Sequence, residues 1–180
     1  HARFDSLSLE KKEEQIKKSL ACFKKYLGKH PQGFRAPQHS IDQETLNLLS
    51  KYNFKYDSSF TPLNLLQIFF FPLKKQSYAS FFSPLNKYKI RKNLYEIPPS
   101  SFFFPFVSLL FRAFPSWLVS FYFSILKIFW KNQVFYAHSW DFIDVQGKIA
   151  RTWSKEILIK NLSHFLSNKI KFSTMNRLAR

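Results

Sequence analysis

The chain has 180 residues, enough for one domain of ordinary size, and carries 28 Lys plus Arg against 11 Asp plus Glu, a surplus of +17. An apolar share of 46% excludes wholesale disorder. A single cysteine, Cys22, excludes a disulfide framework and a multi-thiolate metal site, and three scattered glycines exclude a Gly-rich phosphate loop.

The first helix is expected over residues 8–27. Ile16, Leu20, Phe23 and Leu27 share one face, Ser8 caps the start and Gly28 marks the end. Residues 33–36 (GFRA) suggest a short strand, and Pro37 holds Ala36 out of the helical region. Ser40-Ile41-Asp42-Gln43 has the capping-box pattern, so a helix should run to about Tyr52 with Leu46 and Leu49 inward. A strand follows at 53–57 (NFKYD). Residues 60–93 show no clean period.

Residues 94–97 (LYEI) read as a strand stopped by Pro98 and Pro99. The apolar run at 101–130 contains Arg112, Pro105 and Pro115. Its longest uninterrupted piece, 116–130, makes a helix of about 22 Å, too short to cross a bilayer. It reads as a buried helix or flap, with a membrane-surface element as the alternative. Residues 133–137 (QVFYA) make the clearest buried strand. A helix at 155–167 should turn Leu158, Leu162, Phe165 and Leu166 inward, and a last strand is expected at 170–173.

Alternating strands and helices argue for an α/β fold with a mainly parallel sheet, one domain spanning 1–180 and an apolar insertion at about 101–130. The positive charge is spread and accompanied by no nucleic-acid motif, so no nucleic-acid partner is expected. The chain opens on His1 with no secretory leader pattern, and it reads as a piece whose upstream part lies elsewhere. A cytoplasmic or membrane-associated setting is expected.

In such folds functional groups gather at the carboxyl ends of strands. Arg35, Asp57 with Ser58 and Ser59, and His138 all fit that placement. A histidine there suits a general acid or base. A structural role for each also stays open: a hydrogen-bonded strand-end histidine, or an ion-paired arginine. His39 reads as a loop histidine.

Taken in order, His1-x-x-x-Asp5, Gly33-Phe34-Arg35-Ala36-Pro37, Phe54-Lys55-Tyr56-Asp57-Ser58-Ser59, Glu96-Ile97-Pro98, Tyr136-Ala137-His138-Ser139-Trp140 and Lys171-Phe172-Ser173-Thr174-Met175 resemble the polysaccharide deacetylases of the NodB-homology type. The resemblance implies a distorted (β/α) barrel, here incomplete at its first strand or strands. It implies metal-dependent hydrolysis of an amide on an N-acetylated sugar, in a polysaccharide or a lipid-linked glycan. It implies a divalent metal, zinc or, with an aspartate ligand, manganese, held by His1 and Asp5. It makes Arg35 the holder of a catalytic carboxylate and His138 the general acid, with Pro37, Trp140 and Asp57 on the substrate side. The family's early Asp-Asp motif has no counterpart in these residues. The expected alternative is a non-catalytic carbohydrate-binding or membrane-surface module.

Overall fold

The computed structural model describes residues 3–70, 79–142, 155–167 and 170–179. α1 (Leu9–Leu27) starts and stops as expected: Ser8 Oγ accepts the Lys11 N–H, and Gly28 closes the helix at φ 65°. Glycine tolerates that left-handed turn without strain. Only part of its apolar stripe is covered. Ile16 is buried, while Phe23 and Leu27 are exposed on the half that projects past α2 (Gln43–Lys51).

α2 begins later than the capping box suggests. Asp42, not Ser40, is the N-cap, and its Oδ1 accepts the Thr45 N–H at 2.9 Å. Ser40 is engaged elsewhere: its hydroxyl donates to Asp5 Oδ1 at 2.5 Å and accepts the Asp5 N–H at 3.2 Å. The Asp42 cap also meets Lys12, whose ammonium is buried and donates to Asp42 at 2.6 Å and Glu44 at 2.5 Å. That pair of bonds fixes α1 against the start of α2, where negative charge also suits the helix dipole.

The sheet is open and mixed. β1 (Gly33–Phe34), β2 (Tyr56–Asp57), β3 (Tyr88–Arg91) and β4 (Leu94–Glu96) lie in the order β1-β2-β4-β3. β1, β2 and β4 are parallel, whereas β3 is antiparallel to β4. The expected mainly parallel sheet therefore gains a hairpin strand from the 60–93 stretch that shows no period in sequence. That stretch also supplies the short α3 (Leu65–Phe70). Register pairs Asp57 with Glu96 across β2 and β4. Adjacent residues in register project to the same face of a sheet.

Beyond the sheet, β5 (Ser101–Phe102) and β6 (Phe104–Pro105) form a tight hairpin turned at Phe103, φ 67°. α4 (Ser108–Ala113) and α5 (Ser116–Phe129) follow, then α6 (Lys155–Leu166) and α7 (Met175–Ala179). The strand expected at 133–137 is reduced to one parallel bridge, Val107 to Tyr136. Its neighbouring chain folds into the hairpin between Ser100 and Phe106, so only scattered backbone bonds remain: Ser100 N–H to Val134 O at 3.2 Å, Ser108 N–H to Tyr136 O at 3.1 Å, and Tyr136 N–H to Phe106 O at 3.4 Å. Residues 170–173 are irregular rather than a strand, and Leu166 on α6 is exposed where Leu158 and Phe165 are buried.

Two cores result. Phe4, Ile16, Ile41, Leu46, Leu49, Phe54 and Leu94 fill the first, between α1, α2 and the sheet. Phe106, Phe111, Phe123, Leu126, Trp130, Leu158 and Phe165 fill the second, among α4, α5 and α6. The carboxyl ends of β1, β2 and β4 meet the 134–142 segment at the seam between them.

Candidate functional site

The serines after β2 explain why the strand ends stay in place. Ser58 Oγ accepts from Arg35 Nη2 at 2.6 Å and donates to the Ile97 carbonyl at 2.7 Å. Ser59 Oγ accepts the Ala36 N–H at 2.9 Å and donates to Asp57 Oδ1 at 2.8 Å. Each hydroxyl uses both its donor and its acceptor capacity, as a buried hydroxyl must. Together they tie the ends of β1, β2 and β4.

Beneath them lies a pair of carboxyl groups. Asp57 and Glu96 are both 0% exposed. Asp57 Oδ2 and Glu96 Oε2 find no donor among their neighbours. A proton kept by Glu96 and donated to Asp57 resolves this, because two carboxylates in contact cannot both ionise away from water. Burial pushes Asp57 up to about 6. Burial, then the adjacent Asp57 charge, pushes Glu96 well above the usual carboxylate range. The pair also anchors backbone: the Phe60 N–H donates to Glu96 Oε1 at 3.0 Å. Asp57, expected on the substrate side, has no surface for a substrate to touch and instead supports the strand ends from below.

Above the serines, Arg35 Nε donates to the Ser58 carbonyl at 2.7 Å, and the guanidinium lies 4.4 Å from the Tyr136 ring centroid. That is a cation–π contact. Arg35 makes no ion pair with a carboxylate among the described residues; Asp57 acts on it through charge at a distance. Burial pulls its pKa down.

His39 bridges the two halves. Residues 37–39 form a tight turn, with Gln38 and His39 both at φ 55°. A carbonyl can only accept, so Nδ1–H donates to the Ser59 carbonyl at 3.2 Å. Nε2 is then the acceptor for the Tyr136 hydroxyl at 2.9 Å. Burial, and then the Arg35 charge, hold His39 down to about 4, while burial pushes Tyr136 up to about 12. Both are therefore neutral near pH 7, which matches the tautomer the bonds require.

His138 stands next in line. Its ring centroid is 5.9 Å from that of Tyr136, and its side chain is 44% exposed. Asp141 sits three residues on in the turn Ser139–Phe142 and accepts the His138 N–H at 2.7 Å. Its Oδ2 is 3.7 Å from His138 Nδ1, beyond hydrogen-bond length. Ser108 Oγ donates to Asp141 at 2.5 Å, and Arg112 Nη2 donates to its carbonyl at 2.6 Å. A held carboxylate beside a half-exposed imidazole is the arrangement that orients a general acid or base.

The structure thus brings Arg35 and His138 together through Tyr136 and adds His39, Tyr136, Asp141 and Glu96. A His-x-x-Asp spacing and the matching strand-end positions of Asp57 and Glu96 are the sequence signals for two of these. Pro37 starts the 37–39 turn and lines a cavity of about 310 Å³ toward α1, shared with Phe4, Leu7 and Lys11. His1 and the Trp140 side chain lie outside the described residues. The described donors do not fit a divalent metal. Asp5 holds Arg3 through both carboxylate oxygens, at 3.1 and 2.8 Å, and also Ser40. Among the described residues, no three His, Cys, Asp or Glu side chains gather to hold an ion.

The sequence model of glycosyl hydrolase family 57 matches residues 1–95, just over half of the chain. The chain belongs to glycosyl hydrolase family 57. Its fold is similar to a crystal structure assigned as a polysaccharide deacetylase from Mycobacterium smegmatis, with TM-score 0.61 and 13% identity over 99% of this chain. This family 57 chain spans 58% of the length of that structure, so the likeness concerns the fold. No curated protein matches the sequence. The domain is α/β, with the fold of a carbohydrate-active hydrolase.

Proposed function

We propose that this domain supplies the histidine side of a sugar-deacylating site, hydrolysing an N-acyl group on an amino sugar. The observation that carries this reading is His138: half exposed, backed by Asp141, and placed beside the Arg35–Tyr136–His39 cluster. The neutral His138 imidazole takes a proton from water as its oxygen adds to the acyl carbon, and the imidazolium so formed gives that proton to the nitrogen as the C–N bond breaks. The products are a free amino sugar and a carboxylate. Asp141 orients the imidazole and steadies its charge. Arg35 stiffens the Tyr136 ring against which His138 packs, and neutral His39 keeps the Tyr136 hydroxyl from turning. The base that deprotonates the water is not Asp57 or Glu96, which have no exposed surface. A metal held by His1 and Asp5 would require Asp5 to exchange Arg3 for the ion, and no step above passes through it.

Glycoside hydrolysis is the second reading, favoured by the match to family 57. That chemistry places two carboxyl groups roughly 5–9.5 Å apart across the bond being cut. The Asp57–Glu96 pair does not supply them, since the two groups share one proton and are sealed from solvent. The protein encoded by the whole reading frame, incubated with N-acetylglucosamine oligomers, separates the readings. Acetate without new reducing ends supports deacylation. New reducing ends without acetate overturn it in favour of glycoside hydrolysis.

A further inference from the structure

α5 is apolar around most of its circumference, with one narrow polar stripe of Ser116, Ser120, Ser124 and Lys127. Val119, Phe123 and Leu126 recur at steps of four and three and are buried in the second core. On the opposite side Trp117 is 70% exposed, Phe121 60% and Ile128 76%. A helix with so wide an apolar surface is at rest only when most of that surface leaves water, as in a large core or at a membrane. Here one face does and the other does not.

Beside the exposed face lies a cavity of about 270 Å³. Phe102, Phe103, Phe104, Leu110, Phe114 and Phe121 are among its lining residues. Tyr122 alone among the lining side chains carries a polar group. Its hydroxyl is already engaged, accepting the Phe102 N–H at 2.8 Å and donating to the Phe104 carbonyl. The cavity therefore offers no side-chain hydrogen bond to water or to a sugar. Its lining suits hydrocarbon rather than a polar ligand.

The charge carried by this stretch of the chain has one sign. Residues 97–140 contain no Asp or Glu, but include Arg112, Lys127 and Lys131. Arg112 is bound to Asp141. Lys127 and Lys131 are exposed at the carboxyl end of α5, and the Lys127 ammonium lies 4.7 Å from the Phe123 ring centroid. Long cationic side chains at the end of an apolar helix reach for headgroup phosphates while their stems follow the apolar surface.

We propose that α5 and the adjoining cavity form a docking surface for an anionic lipid bilayer. The helix lies in the membrane plane. Trp117, Phe121 and Ile128 enter the acyl region, Lys127 and Lys131 meet phosphates, and the cavity takes one acyl chain. Its 14 residues give about 21 Å, too little to cross, and no helix among the described residues is long and apolar enough to do so. The helix therefore lies on the surface. This inference stands independently of the reaction at His138. The two regions share only α4, whose Leu110 lines the cavity and whose Ser108 holds Asp141.

The test is co-sedimentation of the full chain with vesicles of equimolar phosphatidylcholine and phosphatidylglycerol, and with vesicles of phosphatidylcholine alone. The expected result is binding to the anionic vesicles, with a blue shift of tryptophan emission. The double variant Trp117→Ser/Phe121→Ser changes only exposed positions, so it should keep the wild-type circular dichroism. It should bind at least ~30-fold more weakly. Lys127→Gln and Lys131→Gln should each cost about fivefold on the anionic vesicles. Binding that follows charge but ignores Trp117 and Phe121 would overturn the proposal. So would failure to bind either vesicle. A lipid-free dimer that the double variant abolishes would overturn it too, and would assign the face to a second copy of the chain.

Discussion

The two halves of the molecule are held together in different ways. Around the strand ends of β1, β2 and β4, position is set by directional bonds: Ser58 and Ser59 each donate and accept once, Glu96 takes the Phe60 N–H, and His39 joins Ser59 to Tyr136. Among α4, α5 and α6, position is set by rings. Phe106 packs with Phe111, Phe123, Phe135 and Phe165 at centroid distances between 5.3 and 6.0 Å. Directional bonds tolerate few residue types, so they leave readable motifs. Ring packing accepts many arrangements of similar volume and leaves only composition. The site we propose sits where the directional half meets the ring half, at Tyr136 and His138.

Breaking the ring half should have the largest effect. Phe111 is 0% exposed and contacts Phe106, Phe135 and Phe165. Phe111→Ala should cost about 3–5 kcal/mol, read as a fall in the denaturant midpoint. If the loss stays below ~1 kcal/mol, the second core is not held by its rings.

Breaking the directional half should cost less stability but more order at the site. Ser58→Ala removes the acceptor for Arg35 Nη2, leaving the Nε bond to the residue-58 carbonyl, and takes the donor from the Ile97 carbonyl, a loss of about 1–3 kcal/mol. Activity should fall further than stability, because Arg35 loses its grip over Tyr136. Equal losses would make Ser58 a purely structural residue.

The carboxyl pair sharpens the comparison through pH. Asp57 at about 6 lies above an unfolded aspartate near ~3.9, so the folded chain binds the extra proton between those values. Its contribution is present below about pH 4 and is lost as pH rises through 6. His39 runs the other way. Held down to about 4, it favours the fold above its unfolded value near ~6.5, and that contribution is lost as pH falls toward 4. The two trends oppose each other in wild type. Glu96→Gln removes the carboxyl held well above its ordinary range, whose contribution is lost as pH rises, and keeps a donor for Asp57, so the variant's stability should rise more with pH between 4 and 8 than that of wild type. An unchanged, flat profile in thermal melts from pH 4 to 8 would show that the pair holds no shared proton.

Much of the directional half was legible. GFRAP and YDSS mark the ends of β1 and β2, the limits of α1 follow from Ser8 and Gly28, and the prolines after Ile97 end β4. Ser40 misled because two carboxylates compete to organise that corner: Asp5 takes the serine, and Asp42 takes the cap. His39 was hidden because its partners, Ser59 and Tyr136, lie 20 and 97 residues away along the chain. The QVFYA segment had the composition of a buried strand but lacked a straight neighbour, and composition carries no information about the neighbour. In the ring half, the apolar character of 101–130 was plain. Which face of α5 stays uncovered was not, because apolar side chains cover all of it but the stripe of Ser116, Ser120, Ser124 and Lys127.

The central claim is that His138 is the group that meets the substrate. The direct measurement is acetate release from N-acetylglucosamine oligomers by wild type and by His138→Ala, with circular dichroism confirming that both fold. His138 is half exposed, so its loss should leave the fold intact while lowering turnover by about 10² to 10⁴. A variant that releases acetate at the wild-type rate would remove His138 from the reaction and contradict the account.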